Sequence, residues 1–214
     1  MLSSCLASGG WTWQRLGVST AQTPRRLGAE DSKTRVRLLD AAEHVLLEEG
    51  YAAVTSRRVA AKANLKPQLV HYYFRTMDDL FIEVFRRRAE QNLERIDRAV
   101  AADSSLRSLW QLNADPRGAS FMIEFVALAK HRKELRDEIA RYAERHRGAQ
   151  LDALTSALRS HGVGEDQLPP IAALVLMTGL AQLLAIEGNI GVTTGHDATL
   201  DFIEETIRQL EARA

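Results

Sequence analysis

The 214-residue sequence predicts an all-α protein of about nine helices. Apolar residues recur over most of the chain at the three- and four-residue spacing of a buried helix face. Runs of alternating β-branched residues, which would indicate strands, are scarce, and the chain has only five prolines. With 45% hydrophobic residues it can bury a substantial core, as one large domain or two small ones.

Charge is distributed unevenly along the chain, although its formal net charge is zero. Residues 1–100 contain sixteen Lys/Arg and twelve Asp/Glu, a net charge of +4, whereas residues 101–214 contain twelve and sixteen, a net charge of −4. This asymmetry indicates that only the first half meets polyanions. A single cysteine, Cys5, excludes an intramolecular disulfide framework and is typical of a reducing cytoplasm, where we expect the protein.

Residues 1–32 lack a helical stripe and predict a flexible tail. The tail has no basic region followed by an apolar stretch, so we do not expect a secretory signal. Arg25 and Arg26 could form a basic arm that reaches phosphates or a minor groove, and the alternative is a dangling start without a role. The apolar segment 171–186 is shorter than the roughly 20 residues that a bilayer needs and contains Gln182, so we expect no membrane partner.

The first two helices are predicted from their caps and inner faces. The first helix covers about residues 32–49, and Gly50 follows where a left-handed residue is favoured. The second helix begins after Thr55, a typical N-cap. The inner faces of the two helices consist of Leu38, Ala42, Val45 and Leu46 in the first and Val59, Ala60 and Ala63 in the second.

A tight turn and a third helix follow. Asn64 suits a left-handed turn position, and Leu65 closes the corner. Pro67 suits the first turn of a helix that starts near Lys66, because its missing N–H would bond nothing there. Val70 and Phe74 should point inward. The outer face is then left to Lys66, Gln68, Leu69, His71 and Tyr72.

The fourth helix begins at a predicted capping box, residues 76–79. Its apolar stripe consists of Leu80, Phe81, Val84, Phe85, Ala89, Leu93, Ile96 and Val100. We interpret Arg86, Arg87 and Arg88 on this helix as a solvated face. The remaining helices are predicted over residues 104–112, 117–130, 133–161, 168–187 and 197–212.

The stretch from Thr55 to Leu80 is the most informative for function. Between Tyr51 and Met77 it has five Lys/Arg and no Asp or Glu. Two short helices around a tight turn, basic and free of carboxylates, are what a protein needs to place a helix in the major groove of double-stranded DNA. The phosphates attract the cations, and a carboxylate facing them would be repelled.

The segment TRVRLLDAAEHVLLEEGYAAVTSRRVAAKANLKPQLVHYYFRTMDDLF, residues 34–81, resembles the N-terminal domain of tetracycline-repressor-type (TetR/AcrR) transcriptional regulators. The rest of the chain resembles that family in helix count and length only. The resemblance implies a helix-turn-helix DNA-binding domain at 33–81 and a helical effector-binding and dimerisation domain at 82–214. It further implies a regulator, typically a repressor, that a small effector releases from a pseudo-palindromic operator.

Carried over residue by residue, the resemblance implies a set of DNA-facing positions. These are Thr55, Ser56 and Arg57 at the start of the second helix, and Lys66, Pro67, Gln68, Leu69, His71 and Tyr72 on the recognition helix. Three residues depart from the common pattern: Asn64 replaces a turn glycine, His71 replaces a frequent tyrosine, and Met77 replaces a phosphate-binding lysine. The N–H groups that open the fourth helix could still hold that phosphate.

The chemistry of these side chains suggests separate roles. Arg57 and Lys66 match the two acceptors of guanine, and Gln68 matches the adenine edge. Leu69 could touch a thymine methyl group. Phosphate contacts, which orient the protein without reading sequence, are expected from His71, Tyr72 and Arg75. Tyr73 could be core or contact, and for every contact the alternative is a solvated helix residue.

The C-terminal half is expected to bind an effector and to form a homodimer. The predicted dimer surface consists of Leu174, Met177, Thr178, Ala181, Leu184 and Ala185 on the eighth helix and Leu200, Ile203, Ile207 and Leu210 on the ninth. An apolar or amphipathic effector would lie between the fourth and eighth helices. Its candidate lining consists of Trp110, Phe121, Met122, Phe125, Tyr142, His146 and Met177. Each of these could instead be ordinary packing, and His146 could be a satisfied core histidine.

Other function classes lack their signatures in this sequence. We find no phosphate-binding glycine loop, nucleophile elbow, paired metal-binding histidines or Cys/His cluster, so we expect no catalysis, no cofactor and no metal. Two alternatives remain open besides the effector-controlled regulator. One is a helical dimerisation or interaction module, and the other is a DNA-binding protein that responds to no effector.

Overall fold

The computed structural model describes residues 32–212, and within that range every regular secondary-structure element is a helix. Nine α-helices are present there, in the order α1 Lys33–Glu49, α2 Ser56–Lys62, α3 Gln68–Tyr73, α4 Met77–Ala102, α5 Leu106–Asn113, α6 Pro116–Ala129, α7 Lys133–Ser160, α8 Pro170–Asn189 and α9 His196–Glu211. The prediction of an all-α fold with about nine helices is confirmed. The predicted tail, with Cys5, Arg25 and Arg26, lies outside the described residues except for Ser32.

Side-chain caps fix the starts of α1 and α2. Ser32 Oγ accepts from Arg35 N at 3.2 Å at the start of α1, and Thr55 Oγ1 accepts from Arg58 N at 3.2 Å at the start of α2. Each hydroxyl satisfies a backbone N–H that the helix itself leaves unpaired. A 3-10 turn, Tyr51–Ala53, which the sequence did not predict, joins the two helices. Gly50 before it has the expected positive φ of 77°, but its ψ of 167° is extended rather than left-handed helical.

The predicted capping box at the start of α4 is present. Thr76 Oγ1 accepts from Asp79 N at 3.0 Å, and Asp79 Oδ2 accepts from Thr76 N at 3.0 Å. Two orphan backbone donors are satisfied by this reciprocal pair. The capping box thus fixes Thr76 as the N-cap from which α4 begins.

One hydrophobic core continues from the N-terminal helices into the second half of the chain. This core buries Val59, Val70 and Phe85 of the earlier helices. It also buries Phe125 of α6 and Leu135 of α7, and each of the five side chains is at most 1% exposed. Packing therefore does not stop at residue 81, where the sequence suggested a domain boundary. A shift of α6 or α7 would therefore change the packing of α1 and α4.

A second hydrophobic core lies among α5, the later half of α7, α8 and α9. Leu109, Leu154 and Leu174 are buried there to within 1% exposure. The two apolar cores share no buried residue, and a set of hydrogen-bonded polar side chains on α4, α5, α7 and α8 lies between them. These polar side chains belong to the candidate effector site described below.

The three consecutive arginines of α4 are not a solvated face, and that prediction was wrong. Arg87 pairs with Asp40 at 2.7 Å and with Glu43 at 3.0 Å, both on α1. Arg86 pairs with Glu138 of α7. Helix periodicity placed these residues outside the apolar stripe correctly, but α1 and α7 flank α4 on both sides and supply carboxylates there. The arginines therefore tie α4 to its neighbours.

Helix α8 is apolar on all sides, so periodicity could not predict which face turns inward. Leu174 and Ala181, which we assigned to the dimer surface, are buried within the subunit, and Ile207 of α9 is buried too. Of the large apolar residues assigned there, Leu200 is exposed, at 41%, but the most exposed large apolar side chains within α8 and α9 are Leu176 at 67% and Phe202 at 71%. The residue assignment of the dimer surface was therefore wrong in part. Over residues 32–212, α8 is the one helix whose length and hydropathy would allow a membrane span, with 17% of its window buried.

Candidate functional site

Helices α2 and α3 and the turn between them form a compact helix-turn-helix. Asn64 has a φ of 53°, the left-handed turn conformation that the sequence predicts. Leu65 N donates to Ala60 O at 2.9 Å, and Arg37 of α1 donates to Ala63 O at 2.6 Å. Arg37 thus holds the C-terminal end of α2, a role that sequence reasoning missed. A cation near a helix C-terminus is the signal that could have found it.

The five cations of the acid-free stretch divide into two groups. Arg58 Nη2 lies 2.6 Å from Glu49 Oε1, and Lys62 lies 3.1 Å from Glu48, so both turn back to the end of α1. The hydrogen bond from Arg58 lowers the pKa of the Glu49 carboxyl below its ordinary value. The remaining three are exposed and form no ion pair or hydrogen bond with any residue in the described range: Arg57, Lys66 and Arg75.

The outer face of α3 differs from the prediction at one residue. Gln68, His71 and Tyr72 are exposed, and Tyr72 is half exposed at 51%. Leu69, predicted to face outward, is instead half-buried and packs against the first core. Leu69 and Tyr73, four residues apart, lie on the same side of α3, and both pack against this core, which accounts for the difference.

The other assigned residues of this region have defined positions. Thr55 and Pro67 are exposed N-cap residues, of α2 and α3 respectively, and Ser56 is half-buried. Tyr73 packs on the core, and its hydroxyl accepts from Ser32 Oγ at 2.9 Å. That contact answers the open question on Tyr73 in favour of packing.

The first turn of α4 combines the substituted residue Met77 with a capping box. Met77, which stands in place of the expected lysine, is half-buried against the core. Asp78 and Asp79 follow it, and Asp79 is engaged in the capping box. Asp78 pairs with Arg132 at 2.6 Å, and the Asp79 N–H donates to Thr76 Oγ1. A phosphate contact by the other N–H groups of this turn, in place of the missing lysine, stays a prediction.

Six of the seven residues expected to line one effector cavity are divided between the two cores, and His146 belongs to neither. Phe121 and Phe125 are buried in the first core, where their rings and that of Tyr142 surround Phe85 at centroid distances of 6.1, 5.1 and 5.7 Å. Met122 packs against the same core. These rings fill the space that the sequence assigned to a ligand. Trp110 and Met177 belong to the second core.

His146 lies between the cores in a layer of uncharged polar side chains. Gln150, one turn further along α7, is fully buried, and its Nε2 lies 3.3 Å from the His146 ring. Asn113 of α5 donates to Gln150 Oε1 at 2.8 Å and accepts from Thr178 Oγ1 of α8 at 3.0 Å. Burial, with Arg147 and Arg95 adding repulsion, lowers the pKa of His146 to about 4, so the ring is neutral at pH 7.

A neighbouring pair extends this polar layer to α4. Asn92 donates to the Tyr142 hydroxyl at 2.6 Å, and Arg95 donates to Asn92 Oδ1 at 3.1 Å. Arg95 also pairs with Asp115 at 3.3 Å, so its charge is neutralised. Sequence reasoning missed Gln150, Asn113 and Asn92, because a polar residue on a mostly polar helix gives no periodic signal of burial.

An apolar groove of about 580 Å³ runs beside the polar layer. Its walls come from α5, α7, α8, α9 and the loop before α8. Of the seven predicted effector residues, Trp110 and Met177 line it. The described residues contain no cluster of three or more His, Cys, Asp or Glu side chains that could hold a metal ion.

Comparison with known proteins agrees with the helix-turn-helix geometry. The sequence profile of "Bacterial regulatory proteins, tetR family" matches residues 38–84. None of the curated proteins matches this chain in sequence. Those 47 residues contain α2, the turn, α3 and the start of α4, which are the elements that position the exposed cations.

Solved structures resemble the chain over most of its length. A TetR-family transcriptional regulator from Mesorhizobium loti has a TM-score of 0.64 at 19% identity, covering 87% of this chain and 97% of its own. A transcriptional regulator from Saccharomonospora viridis, solved with choline, has a TM-score of 0.64 at 19% identity, with coverages of 79% and 95%. FadR from Bacillus subtilis, solved with stearoyl-CoA, has a TM-score of 0.56 at 19% identity, with coverages of 83% and 96%.

At these identities the likeness establishes the fold alone. The family match adds the resemblance of residues 38–84 to bacterial regulatory proteins, and this segment contains the exposed residues Arg57, Lys66 and Arg75. Residues 38–84 therefore match the TetR family of bacterial regulatory proteins, and the described fold resembles that of TetR-family transcriptional regulators.

Proposed function

We propose that the protein is a homodimeric, effector-controlled repressor that binds a pseudo-palindromic operator through α2 and α3. The observation that supports this proposal most is the separation of cations on the helix-turn-helix. Arg58 and Lys62 are paired with α1, whereas Arg57, Lys66 and Arg75 stand exposed with their donors free within the described chain. Free cations on one face attract phosphates and guanine edges, and paired ones contribute little.

In this proposal, some of the exposed side chains contact bases and others contact phosphates. Arg57, Lys66 and Gln68 read base edges in the major groove, since each has donors that match purine acceptors. His71, Tyr72 and Arg75 hold phosphates and set the orientation of α3. Leu69 is left out of this assignment, because half of its side chain is buried.

A homodimer through α8 and α9 would bury the apolar surface that one subunit leaves exposed. Leu176 and Leu183 of α8 and Phe202 of α9 are 67%, 48% and 71% exposed. Exposed apolar area of this extent is typical of a subunit interface. Two-fold symmetry would then place two copies of α3 about one turn of DNA apart, or somewhat more, which is what an inverted-repeat operator requires.

The C-terminal half is suited to a small apolar or amphipathic effector. Relatives of the same fold have been solved with choline and with stearoyl-CoA, which differ strongly in size and charge. The fold therefore accommodates dissimilar ligands. The ligand of this chain depends on the side chains that line its own site. In this proposal the protein acts in the cytoplasm, because its partner is double-stranded DNA.

Two hydrogen bonds join the effector domain to the helix-turn-helix. Glu124 of α6 accepts from the backbone N–H of Tyr51, in the 3-10 turn before α2, at 3.3 Å. Arg132, between α6 and α7, donates to Asp78 of α4 at 2.6 Å. A ligand releases DNA only if it prefers a conformer whose recognition helices are wrongly spaced. Movement of α6 relative to α1 and α4 would change that spacing.

The experiment that tests the proposal is a binding comparison on one duplex selected from random sequences. We expect the full chain to bind the selected duplex at least about a thousandfold more tightly than random duplex at the same salt concentration. Arg57→Ala should reduce that ratio. Arg58→Ala is the matched control, one residue away and already paired, and should leave it nearly unchanged. Equal affinity for the selected and the random duplexes would contradict the proposal.

A further inference from the structure

The recognition helix α3 is too short to fix its own orientation. It spans Gln68–Tyr73, six residues, and Val70 is its one fully buried side chain. A helix of this length forms few internal hydrogen bonds and is unstable in isolation. The orientation of its outer face therefore depends on the contacts that hold its two ends.

The C-terminal end of α3 contacts the beginning of α1. Ser32 Oγ, at the N-cap of α1, donates to the Tyr73 hydroxyl at 2.9 Å. The Arg35 guanidinium lies over the ring of Phe74, the C-cap residue of α3, at 5.4 Å from the ring centroid. Phe74 is itself buried in the first core. Two adjacent residues thus attach this end of the helix to α1.

The turn before α3 contains an acceptor that the helix itself cannot satisfy. In a continuous helix the Ala63 carbonyl would accept from the N–H of residue 67, but residue 67 is proline and has none. Ala63 is only 7% exposed. Arg37 of α1 supplies the missing donor, with 2.6 Å between its Nη2 and Ala63 O. Within residues 32–212, Arg37 forms no other hydrogen bond or ion pair.

We infer that Arg37 is a positioning residue for DNA recognition: by holding the turn at Ala63, it fixes where α3 begins and so presents Lys66 and Gln68 to the base edges. Ala63 lies three residues before Lys66, so a displaced turn displaces these side chains directly. Arg57 lies six residues before Ala63, at the opposite end of α2, and depends little on this contact. The inference rests on the proposed function, because it adds a residue to the recognition described there.

An exposed arginine beside a helix-turn-helix could instead contact a phosphate directly. The two roles differ in the salt dependence of DNA binding. A phosphate contact releases a counter-ion and contributes about one unit to the slope of log K against log salt on any sequence. A positioning residue leaves that slope unchanged and acts on the preferred sequence. The commitment of Arg37 Nη2 to a backbone carbonyl favours positioning.

The test measures the affinity of the full chain for the selected duplex and for random duplex at several salt concentrations. Arg37→Met removes the donors and keeps an unbranched apolar stem. It should weaken binding of the selected duplex by about tenfold or more, the cost of a misplaced base contact, and binding of random duplex by less than about threefold. The salt slope should change by less than about half a unit. Arg37→Lys, which keeps a cationic donor, should recover part of the lost selectivity.

Arg87→Met is the matched control for the packing of α1. It removes a cation that binds α1 through Asp40 and Glu43 but lies outside the turn, and it should leave the ratio of selected to random affinity unchanged. Thermal unfolding of each variant identifies any loss of folding. If Arg37→Met does not fold, Arg37→Gln, which is neutral and keeps a shorter donor, takes its place, with the loss again confined to the selected duplex.

A double-mutant cycle separates positioning from general damage to the domain. If Arg37 places Gln68, the loss caused by Gln68→Ala should be at least about threefold smaller in the Arg37→Met background than in the parent chain. The loss caused by Arg57→Ala should agree within about twofold in the two backgrounds. A domain that is merely destabilised would change both losses alike.

Three results would overturn the inference. The first is a loss of equal size on both duplexes with a salt slope lower by about one unit, which would assign Arg37 to a phosphate. The second is an unchanged affinity ratio for Arg37→Met, or a reduction that Arg87→Met reproduces. The third is independence of the Arg37→Met and Gln68→Ala losses. If the parent chain itself does not distinguish the two duplexes, the proposed function fails; if it does, each of these results concerns Arg37 alone.

Discussion

Arg132 and Asp78 form an ion pair, with 2.6 Å between Arg132 Nε and Asp78 Oδ1, that joins the α6–α7 connection to the first turn of α4. The guanidinium also lies over the Phe81 ring, 5.8 Å from its centroid. Asp78 follows the end of α3 by only a few residues, so this pair connects the C-terminal half of the chain to the recognition helix.

This pair should matter more for effector response than for stability. Both side chains are partly exposed, and exposed ion pairs contribute at most about 1 kcal/mol. We expect Arg132→Met, which can keep the contact with Phe81, to lower the free energy of unfolding by less than about 1 kcal/mol. It should nevertheless reduce the change in DNA affinity caused by a bound effector. Urea denaturation and DNA titration with and without ligand give the two quantities, and an unchanged effector response would show that the pair carries no coupling.

Recognition of DNA should depend on the free cations and not on the paired ones. Arg57→Ala and Gln68→Ala should each cost about 1–3 kcal/mol on the preferred duplex and much less on random duplex. Arg75→Ala should weaken both duplexes alike and lower the slope of log K against log salt by about one unit. Fluorescence anisotropy at several salt concentrations measures both effects. Loss of equal size on both duplexes for Arg57→Ala would contradict its assignment to base reading.

The capping box should contribute measurably to folding. Thr76→Ala removes the acceptor for Asp79 N and should lower the free energy of unfolding by about 1 kcal/mol. Thr76→Ser keeps a hydroxyl at the same place and serves as the control, with most of the stability retained. The measurement is chemical denaturation of both variants beside the parent chain. Equal stability of the alanine and serine variants would mean that the cap observed here does not hold α4 in place.

Stability should decline in mild acid because of His146. The folded-state pKa is about 4, below the ordinary value of 6.5 that the unfolded chain has. Above the unfolded pKa both states are neutral at this residue. As pH falls below that value, the unfolded state takes up a proton that the folded state does not. The free energy of unfolding should then fall by up to about 1.4 kcal/mol per pH unit, until the folded pKa is reached.

A His146→Gln variant tests this linkage. It removes the titrating group and keeps a side chain that can hydrogen-bond to Gln150. Between about pH 7.5 and pH 5, the parent should lose more stability than the variant, by roughly 2 kcal/mol. The other histidines are common to both proteins, so their contribution cancels in the difference. Parallel pH profiles of parent and variant would show that His146 is not buried as a neutral ring.

The N-terminal elements could be predicted because their determinants are local. Thr55, Asn64 and Thr76 act on backbone groups within three residues of themselves, so cap and turn chemistry is readable from a short window. The acid-free stretch indicated the DNA-facing side for the same reason. Local chemistry could not show that Arg58 and Lys62 bind α1 rather than solvent or DNA.

The C-terminal half was predicted less well because its contacts are distant in sequence. Arg86 meets Glu138 fifty-two residues away, and Gln150 meets Asn113 thirty-seven residues away. Periodicity identifies a buried stripe on one helix, but it does not identify the partner of that stripe. On α8, where apolar residues surround the helix, it does not even identify the stripe, so Leu174 and Ala181 were assigned to a dimer contact that they do not face.

The most direct test of sequence-specific DNA binding by a dimer is selection of bound duplexes from a random pool, followed by footprinting and determination of the mass of the complex. The account predicts an enriched inverted repeat, with half-site centres about 34 Å or somewhat more apart, occupied by two copies of the chain. Arg57→Ala should lose this selectivity, and Arg58→Ala should keep it. A pool without an enriched sequence, or a monomer that protects DNA of any sequence equally, would contradict the account.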